Sequence, residues 1–236
     1  MYYNSYIQDE EAYRNVVRRI WTETLEWGKD NMRNYPWRNT RDAYRIMIAE
    51  IMLHRTKADQ VKEVYEAFIE KFPDFISIVK TDPENIKSEL HSLGLPWRSD
   101  LLHRMAEEVV KKYDGVLPQN RMKLMELPGV GHYIASAVLC FGYNLPEPML
   151  DTNTVRVIGR VFGIKITDSS RRSKKFEKIT RDLIAYGEPR SFFLSLIDFA
   201  AMICTSGNNP RCDICSLKDV CCFYRKRGDM NARKVN

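Results

Sequence analysis

The sequence predicts an all-α protein. Apolar residues recur at helical spacing through most of the chain, and no segment alternates apolar and polar residues as a half-buried strand does. Capping residues and first-turn prolines separate the helical segments. With 236 residues, 44% of them hydrophobic and 29% charged, the chain is typical of a soluble globular protein and is long enough for one large domain or two smaller ones.

The first four helices follow from apolar faces and boundary residues. Apolar positions over 17–25, 44–52 and 61–72 fall on one side of three successive helices. An Asp-Pro pair at 82–83 begins the fourth, because proline suits the first turn of a helix. Gly94 ends it, since glycine readily adopts the backbone conformation that terminates helices.

The later helices are located by single boundary residues. Ser99 is predicted to cap a fifth helix and Asn120 a short sixth, because both side chains can accept hydrogen bonds from a first helical turn. Further helices are predicted after Gly131, Asp151, Ser170 and Glu188.

The charge and the hydropathy of the chain limit which partners it can bind and where in the cell it is expected. The formal net charge is +6, a mild excess that permits a polyanionic partner without requiring one. Basic residues gather at 171–175 and 225–227, where a solvated surface is the simpler interpretation.

No run approaches eighteen apolar residues, so we expect no membrane span. Residues 1–14 lack the apolar centre of a signal peptide, which predicts a cytoplasmic location.

Five of the six cysteines lie in the last 33 residues. Cys204, Cys212, Cys215 and Cys221 have the spacing C-x7-C-x2-C-x5-C. In a cytoplasmic protein this crowding indicates metal ligation rather than disulfides. The spacing alone leaves zinc and an iron–sulfur cluster open, and Cys222 can replace Cys221 as the fourth ligand.

The segment LPGVGHY at 127–133 predicts a glycine hairpin that opens into a helix. Gly129 and Gly131 lack a Cβ, so the backbone can adopt positive φ and approach a ligand closely. The first turn of the following helix presents N–H groups that suit a phosphate oxygen. Asp151 stands eighteen residues after Tyr133 at the start of another helix, where its simplest structural role is to cap that helix.

Glu50 lies in a helix, 46–53, that is apolar almost all round, which predicts that its carboxyl is buried. Burial disfavours the charged form and is expected to raise the pKa, so that Glu50 can act as a general acid. A structural Glu50 paired with Arg45 or Arg55 is an equal alternative from the helix alone.

The hairpin, the LDTNTVRV segment at 150–157 and the cysteine cluster together resemble the endonuclease III superfamily of DNA glycosylases, the helix-hairpin-helix group with a carboxylate catalyst. The resemblance covers roughly 33–224. It implies two helical domains with the active site in the cleft between them. A helical bundle at 39–148 carries the hairpin, and 1–38 plus 149–236 form a domain that ends in a four-cysteine iron–sulfur loop.

The resemblance also assigns chemistry to three side chains. Asp151 matches the carboxylate that stabilises positive charge on the sugar as the base leaves and that orients water. Glu50 stands where mismatch glycosylases carry a catalytic Glu. Tyr133 replaces the Lys with which lyase-competent members attack the sugar. Because Tyr cannot form a Schiff base, the resemblance implies base excision without efficient strand cutting; a buried aromatic is the structural alternative.

The residues implied to contact DNA are Gly129, Val130, Gly131, His132, His54, Arg55, Arg211 and Lys218. The hairpin would hold a phosphate through backbone N–H groups, with a bound monovalent cation. Relatives insert a side chain from the 54–55 position into the duplex, where it fills the place of the flipped base. Arg55 as a surface ion-pair partner is the alternative.

The resemblance favours a structural [4Fe–4S] cluster over zinc at the four cysteines. The superfamily motif has six residues in its first gap, whereas this chain has seven, and the loop at 205–211 can absorb the extra residue. The cluster would shape a basic loop that directs Arg211 and Lys218 toward phosphates.

The predicted function is therefore a monomeric, monofunctional glycosylase that removes thymine or uracil opposite guanine in double-stranded DNA. An adenine glycosylase acting opposite 8-oxoguanine fits Glu50, Tyr133 and Asp151 equally. It ranks second because such enzymes usually add a C-terminal domain, and only fourteen residues follow Cys222. A non-catalytic damage-binding module ranks third, since both carboxylates are present.

Overall fold

A computed structural model describes residues 9–94 and 97–232. The described part is entirely helical apart from loops and turns, which confirms the all-α prediction. None of its helices combines the length and the apolar character that a bilayer span requires. Contacts divide the chain into two compact units, Asn34–Leu145 and Met1–Arg33 with Pro146–Asn236. We call these the hairpin unit and the cysteine unit.

The α-helices of the described residues are, in chain order, α1 (Glu10–Asn31), α2 (Ala43–Leu53), α3 (Ala58–Lys71), α4 (Phe75–Val79), α5 (Pro83–Leu90), α6 (Trp97–Tyr113), α7 (Arg121–Met125), α8 (His132–Ala137), α9 (Thr152–Phe162), α10 (Lys174–Ile184), α11 (Pro189–Met202) and α12 (Cys222–Ala232). A π-helical turn, Val138–Gly142, continues α8. Short 3₁₀ turns lie at Pro36–Arg38, His91–Leu93, Ser170–Arg172, Cys212–Ile214 and Lys218–Val220.

Local capping sets several helix boundaries where the sequence predicted them. The Asp82 carboxylate accepts from the backbone of Glu84 at the start of α5, and the Asn120 side chain accepts from Lys123 N at 3.1 Å. Gly94 ends the turn after α5 with φ 72°. These contacts join residues two or three positions apart, so the local sequence is sufficient to specify them.

One predicted boundary is wrong. Ser99 does not cap α6, because that helix begins at Trp97 and Ser99 lies inside its first turn with 1% of its surface exposed. The helix predicted after Ser170 is present, with a 3₁₀ turn at Ser170–Arg172 before α10 begins at Lys174. A serine favours helix starts, but packing of the surrounding turn decides which residue takes that place.

The core of the hairpin unit is built from apolar faces of α2 to α8. Its fully buried side chains include Met47, Ile48, Phe68, Phe72, Phe75, Met105 and Val138. Tyr44 packs edge-on against Phe75 with ring centroids 4.8 Å apart. The two short helices α4 and α7 are therefore held by tertiary burial rather than by helix propensity, since isolated helices of five residues are unstable.

The core of the cysteine unit is centred on the contact between α1 and α11. Trp27 meets Phe199 edge-on at 5.4 Å, and Gly28 lies so close to α11 that a Cβ there would stand 2.0 Å from Ser195 Oγ. The remaining fully buried side chains of this core include Ile20, Phe162, Phe176, Phe192 and Phe193. Close helix approach at a small residue allows dense packing.

A buried ion pair joins the end of α1 to α11. The Arg33 backbone N–H donates to Asp198 Oδ2 at 2.7 Å, and the guanidinium Nε and Nη2 donate to Oδ1 at 2.7 and 2.6 Å. The Asp198 side chain is fully buried, whereas that of Arg33 is 35% exposed. The negative charge of Asp198 is thus buried in the core of the cysteine unit, where three hydrogen bonds from Arg33 stabilise it.

Candidate active site

The two glycines of the hairpin differ: the fold requires a glycine at position 129 but not at position 131. Gly129 has φ 78°, and a Cβ at that position would lie 2.4 Å from Leu101 Cδ2. Gly131 has φ −89°, which any residue adopts, and a Cβ there would meet nothing within 4 Å. The prediction of positive φ is confirmed for Gly129 and wrong for Gly131. Gly131 instead leaves open space beside the backbone.

Val130 has a different role from its neighbours. Its side chain is 6% exposed, and its backbone N–H donates to the Leu127 carbonyl at 3.1 Å. This N–H closes the turn of the hairpin, and the predicted contact of Val130 with a DNA phosphate stays a prediction. Val130 anchors the hairpin in the core of its unit and keeps the adjacent glycines at the surface.

The first residues of α8 combine an exposed imidazole with a half-buried phenol. His132 is exposed, and its Nδ1 lies 3.3 Å from Arg121 Nη2, within hydrogen-bond distance of that guanidinium. Tyr133 is half-buried at the next position. The first turn of α8 directs its backbone N–H groups away from the helix, as a phosphate site requires.

Glu50 lies in α2 with 7% of its surface exposed, which confirms the burial predicted from the apolar helix. Arg45, which the sequence offered as a structural partner, instead lies 3.9 Å from Asp42 at the start of the same helix. Burial places the Glu50 carboxyl in a low-dielectric environment.

His54 and Arg55 follow directly after α2 in the loop 54–57, and both side chains are exposed. Arg55 has φ 64°, in the left-handed region that non-glycine residues rarely adopt. Burial lowers the pKa of His54, and the nearby charges of Arg55 and Arg98 lower it further, which keeps the imidazole neutral at pH 7. Arg55 is thus the cationic member of this exposed pair.

Asp151 is the N-cap of α9, as predicted. Its Oδ1 accepts from Thr154 N at 2.7 Å, and its Oδ2 accepts from Asn153 Nδ2 at 2.6 Å. Each carboxylate oxygen therefore has a fixed donor, and the half-buried side chain keeps one orientation. The backbone N–H groups of the first turn of α9 favour its negative charge.

A second layer of hydrogen bonds holds Asn153. Arg156 Nη2 donates to Asn153 Oδ1 at 2.9 Å and to the Ala200 carbonyl at 2.8 Å. Its Nε donates to the Cys204 carbonyl at 2.7 Å. A continuous chain of contacts thus leads from the cysteine segment through Arg156 and Asn153 to Asp151. The sequence analysis did not identify Asn153 or Arg156 as site residues. Their spacing of three places them on one face of a helix, and this was the signal that could have found them.

The cysteine segment is attached to α9 by a further arginine. Arg160 donates to the carbonyls of Thr205 and Gly207 at 2.7 and 2.6 Å, and its Nη1 lies 3.3 Å from Cys204 Sγ. Its guanidinium also lies over the Phe223 ring, 4.7 Å from the centroid. Arg160 therefore fixes the loop that carries the extra residue of the first cysteine gap.

The predicted ligand cysteines influence one another electrostatically. Burial raises the pKa of the Cys215 thiol to about 11, and the neighbouring thiols of Cys204 and Cys212 raise it further. Burial likewise raises the pKa of Cys221 to about 12, with contributions from Cys204 and Cys215. In the described ranges no three His, Cys, Asp or Glu side chains form a ready-made site for a metal ion.

Cys222 packs beside Gly163. A Cβ placed on Gly163 would lie 3.1 Å from the Cys222 Cβ, which shows that Cys222 packs against the end of α9. Arg211 is exposed beside the cysteines, and Lys218 is half-buried with its Nζ 3.4 Å from the Asp213 carbonyl. Both basic side chains stay predictions as DNA contacts.

The predicted site residues fall into two groups. Glu50, the loop 54–57 and the hairpin residues up to Tyr133 belong to the hairpin unit, whereas Asp151 and the four cysteines belong to the cysteine unit. A model of the HhH-GPD superfamily of base excision DNA repair proteins matches residues 48–182, a range that contains Glu50, the hairpin and Asp151. The chain belongs to the HhH-GPD superfamily. The resemblance recognised from the sequence motifs is confirmed.

Relatives within the HhH-GPD superfamily match most of the chain. A thymine/uracil-DNA glycosylase of Methanothermobacter thermautotrophicus is 37% identical over 90% of this chain and 96% of its own length. An adenine DNA glycosylase of Mycolicibacterium smegmatis is 32% identical over 87% of this chain and 69% of its own length. The solved structure of a thermostable thymine-DNA glycosylase superposes with a TM-score of 0.85 and 35% identity, covering 91% of this chain and 99% of that one.

Proposed function

We propose that this protein is a DNA glycosylase that excises thymine or uracil opposite guanine and leaves the abasic strand uncut. The observation that carries the proposal is the Asp151 carboxylate, oriented by Thr154 N and Asn153 Nδ2 at the start of α9. The similarity to a thymine/uracil-DNA glycosylase over 90% of the chain supports the choice of base.

In the proposed reaction the N-glycosidic bond breaks, and positive charge develops on the sugar as the base leaves. The Asp151 carboxylate stabilises that charge, because it is already oriented and needs no rearrangement during the reaction. Water then adds to the sugar carbon from which the base departed and loses a proton. Asp151 orients this water through the lone pairs that its two fixed donors leave open.

Glu50 and Tyr133 are the other two residues of the proposed reaction. In its protonated form the buried Glu50 donates a hydrogen bond or a proton to the leaving base, whereas in its carboxylate form it accepts the proton of the incoming water. Tyr133 has no amine and forms no imine with the sugar, so the strand is not cut by β-elimination. Base loss and strand cutting are therefore separate events in this proposal.

Contacts to the DNA backbone position the substrate without reading its sequence. Gly129, Gly131 and His132 hold a phosphate at the hairpin, with a monovalent cation bound to the loop. Arg55 enters the duplex when the target base leaves the stack. The exposed Arg211 and half-buried Lys218 contact phosphates from the cysteine unit. The protein acts as a monomer on one double-stranded DNA site.

The donor set of the cysteine segment fits a [4Fe–4S] cluster held by Cys204, Cys212, Cys215 and Cys221. Four thiols form the ligand set of such a cluster, and guanidinium donors of Arg160 and Arg227 lie 3.3 and 3.9 Å from two of the sulfurs. The packing of Cys222 against Gly163 favours Cys221 as the fourth ligand. The bound cluster would tie the loop together and supplies no step of the reaction.

Metal analysis tests the cluster. Protein purified without oxygen should contain about four iron atoms and four sulfide ions per chain and should absorb broadly in the visible range. Cys212→Ser should lose the iron, whereas Cys222→Ser should keep it, because only the first removes a proposed ligand. Zinc at about one atom per chain in place of iron would contradict the cluster.

Base release from a panel of labelled duplexes tests the function. The panel holds T·G, U·G, A·8-oxoguanine and A·G pairs, each analysed with and without alkali. We expect breaks at T·G and U·G that require alkali, because Tyr133 cannot open the sugar. Tyr133→Lys is the matched control and should yield a borohydride-trapped covalent complex.

Each other outcome of the panel selects a different function. Breaks at A·8-oxoguanine in place of T·G would establish the adenine glycosylase, the second candidate, which the 32% identity to such an enzyme supports. Cutting by the unaltered protein without alkali would refute the monofunctional reaction. DNA binding with no base release from any duplex would indicate a damage-binding module.

A further inference from the structure

Arg98 is a buried cation that the proposed reaction does not use. It lies in the first turn of α6 with 0% of its surface exposed, and burial lowers its pKa. No carboxylate in the described part of the chain pairs with it. The guanidinium nevertheless remains charged at neutral pH, so its charge must be satisfied by neutral acceptors.

Those acceptors all lie at one place, the end of α2 and the loop that follows it. Arg98 Nη1 donates to the Met52 carbonyl at 2.8 Å, and Nη2 donates to the His54 carbonyl and to Thr56 Oγ1, the latter at 3.0 Å. The last carbonyls of a helix lack intrahelical partners and form the negative end of its dipole. The buried cation therefore neutralises the end of α2.

The same contacts lie on both sides of Arg55. Arg98 holds residue 54 through its carbonyl and residue 56 through its hydroxyl, and Arg55 between them adopts φ 64°. A left-handed arginine persists only where its surroundings impose that conformation. His54 also packs edge-on against Trp97, with ring centroids 6.2 Å apart, so the loop is held from α6 at two neighbouring residues.

We propose that Arg98 is a positioning residue that holds the loop 54–57 in the conformation from which Arg55 enters the duplex. This inference rests on the proposed function, in which Arg55 fills the place of the flipped base. With the loop already in its active conformation, no ordering of the loop has to accompany base flipping. Arg98 does not touch DNA, because it is buried under the loop that does.

Base flipping measured without chemistry tests the proposal. The probe is a U·G duplex with 2-aminopurine beside the uracil, and the fluorescence rise on flipping is measured in an Asp151→Asn background, so that base release is slow compared with flipping. Arg98→Met should lower the flipping equilibrium constant about tenfold, as should Arg55→Ala. Affinity for undamaged duplex should stay unchanged in Arg98→Met but fall in Arg55→Ala, because only Arg55 is exposed to phosphates.

A double variant separates positioning from a general structural role. If Arg98 acts through Arg55, then Arg98→Met adds nothing to Arg55→Ala, since the side chain being positioned is already absent. Additive losses in the double variant would overturn the proposal, as would normal flipping by a folded Arg98→Met.

If Arg98→Met does not fold, Arg98→Lys and Thr56→Val replace it. Thr56→Val removes one acceptor and keeps the buried charge satisfied by two carbonyls, so it should weaken flipping in the same direction by a smaller factor. Normal flipping in both replacements overturns the inference. If the unaltered protein neither flips uracil out of the duplex nor releases it, the proposed function is refuted. If uracil is flipped equally well with and without Arg98, only the present inference is refuted.

Discussion

Replacing Asp151 with Asn should abolish most base release while the protein still binds mismatched DNA. The amide keeps an oxygen that can accept from Thr154 N, so the cap of α9 survives. It loses the negative charge that stabilises the positive sugar, and loss of one such electrostatic contact lowers kcat by about 10² to 10³. Single-turnover excision from a U·G duplex and binding to the same duplex measure the two effects.

Asp168→Asn is the matched control, because it removes the same charge from an exposed carboxylate of the same unit. It should leave the excision rate unchanged. Affinity for DNA should stay the same or rise slightly in Asp151→Asn, since the change removes a negative charge that repels phosphates. A normal excision rate in Asp151→Asn would show that another group supplies the electrostatic stabilisation.

Breaking the buried ion pair of the cysteine unit should cause the largest loss of stability. Arg33→Ala removes the guanidinium that pairs with the fully buried Asp198, and breaking a buried ion pair by removing one partner costs about 3–5 kcal/mol of unfolding free energy. Arg33 is partly exposed and can be rehydrated, so Asp198→Asn should cost less than Arg33→Ala. Urea unfolding followed by circular dichroism measures both variants.

Lys29→Ala provides the control for charge removal at the end of α1. Lys29 pairs with Glu26 at 2.6 Å, and both side chains are about two-thirds exposed. Such a pair is screened by water, so its loss should leave the urea midpoint unchanged. An Arg33→Ala variant as stable as the unaltered protein would mean that Asp198 is satisfied without its cation.

The residues of the site differ in how far the sequence could identify them. Asp151 stood out through a motif, and the structure adds that its second oxygen is held by Asn153. The burial of Glu50 followed from the apolar residues around it in α2. Gly129 and Gly131 look equivalent in the sequence, yet only Gly129 must be a glycine, because its φ is positive and the side chain of Leu101 lies where its Cβ would be.

The sequence by itself determined the all-helical class, most helix boundaries and the superfamily. These depend on contacts between residues at most four positions apart, such as the caps at Asp82, Asn120 and Asp151, or on motifs whose letters are contiguous. Local chemistry is sufficient for them, because neighbours along the chain are always close in space.

Only the tertiary structure decided which side chains support that machinery. Arg33 meets Asp198 across 165 residues, Arg156 meets the Cys204 carbonyl across 48, and Arg98 meets the His54 carbonyl across 44. In the sequence each of these arginines resembles the many surface cations around it. Their roles arise because folding removes them from water, and a buried cation must find its acceptors wherever the packed helices leave carbonyl or carboxylate oxygens unsatisfied.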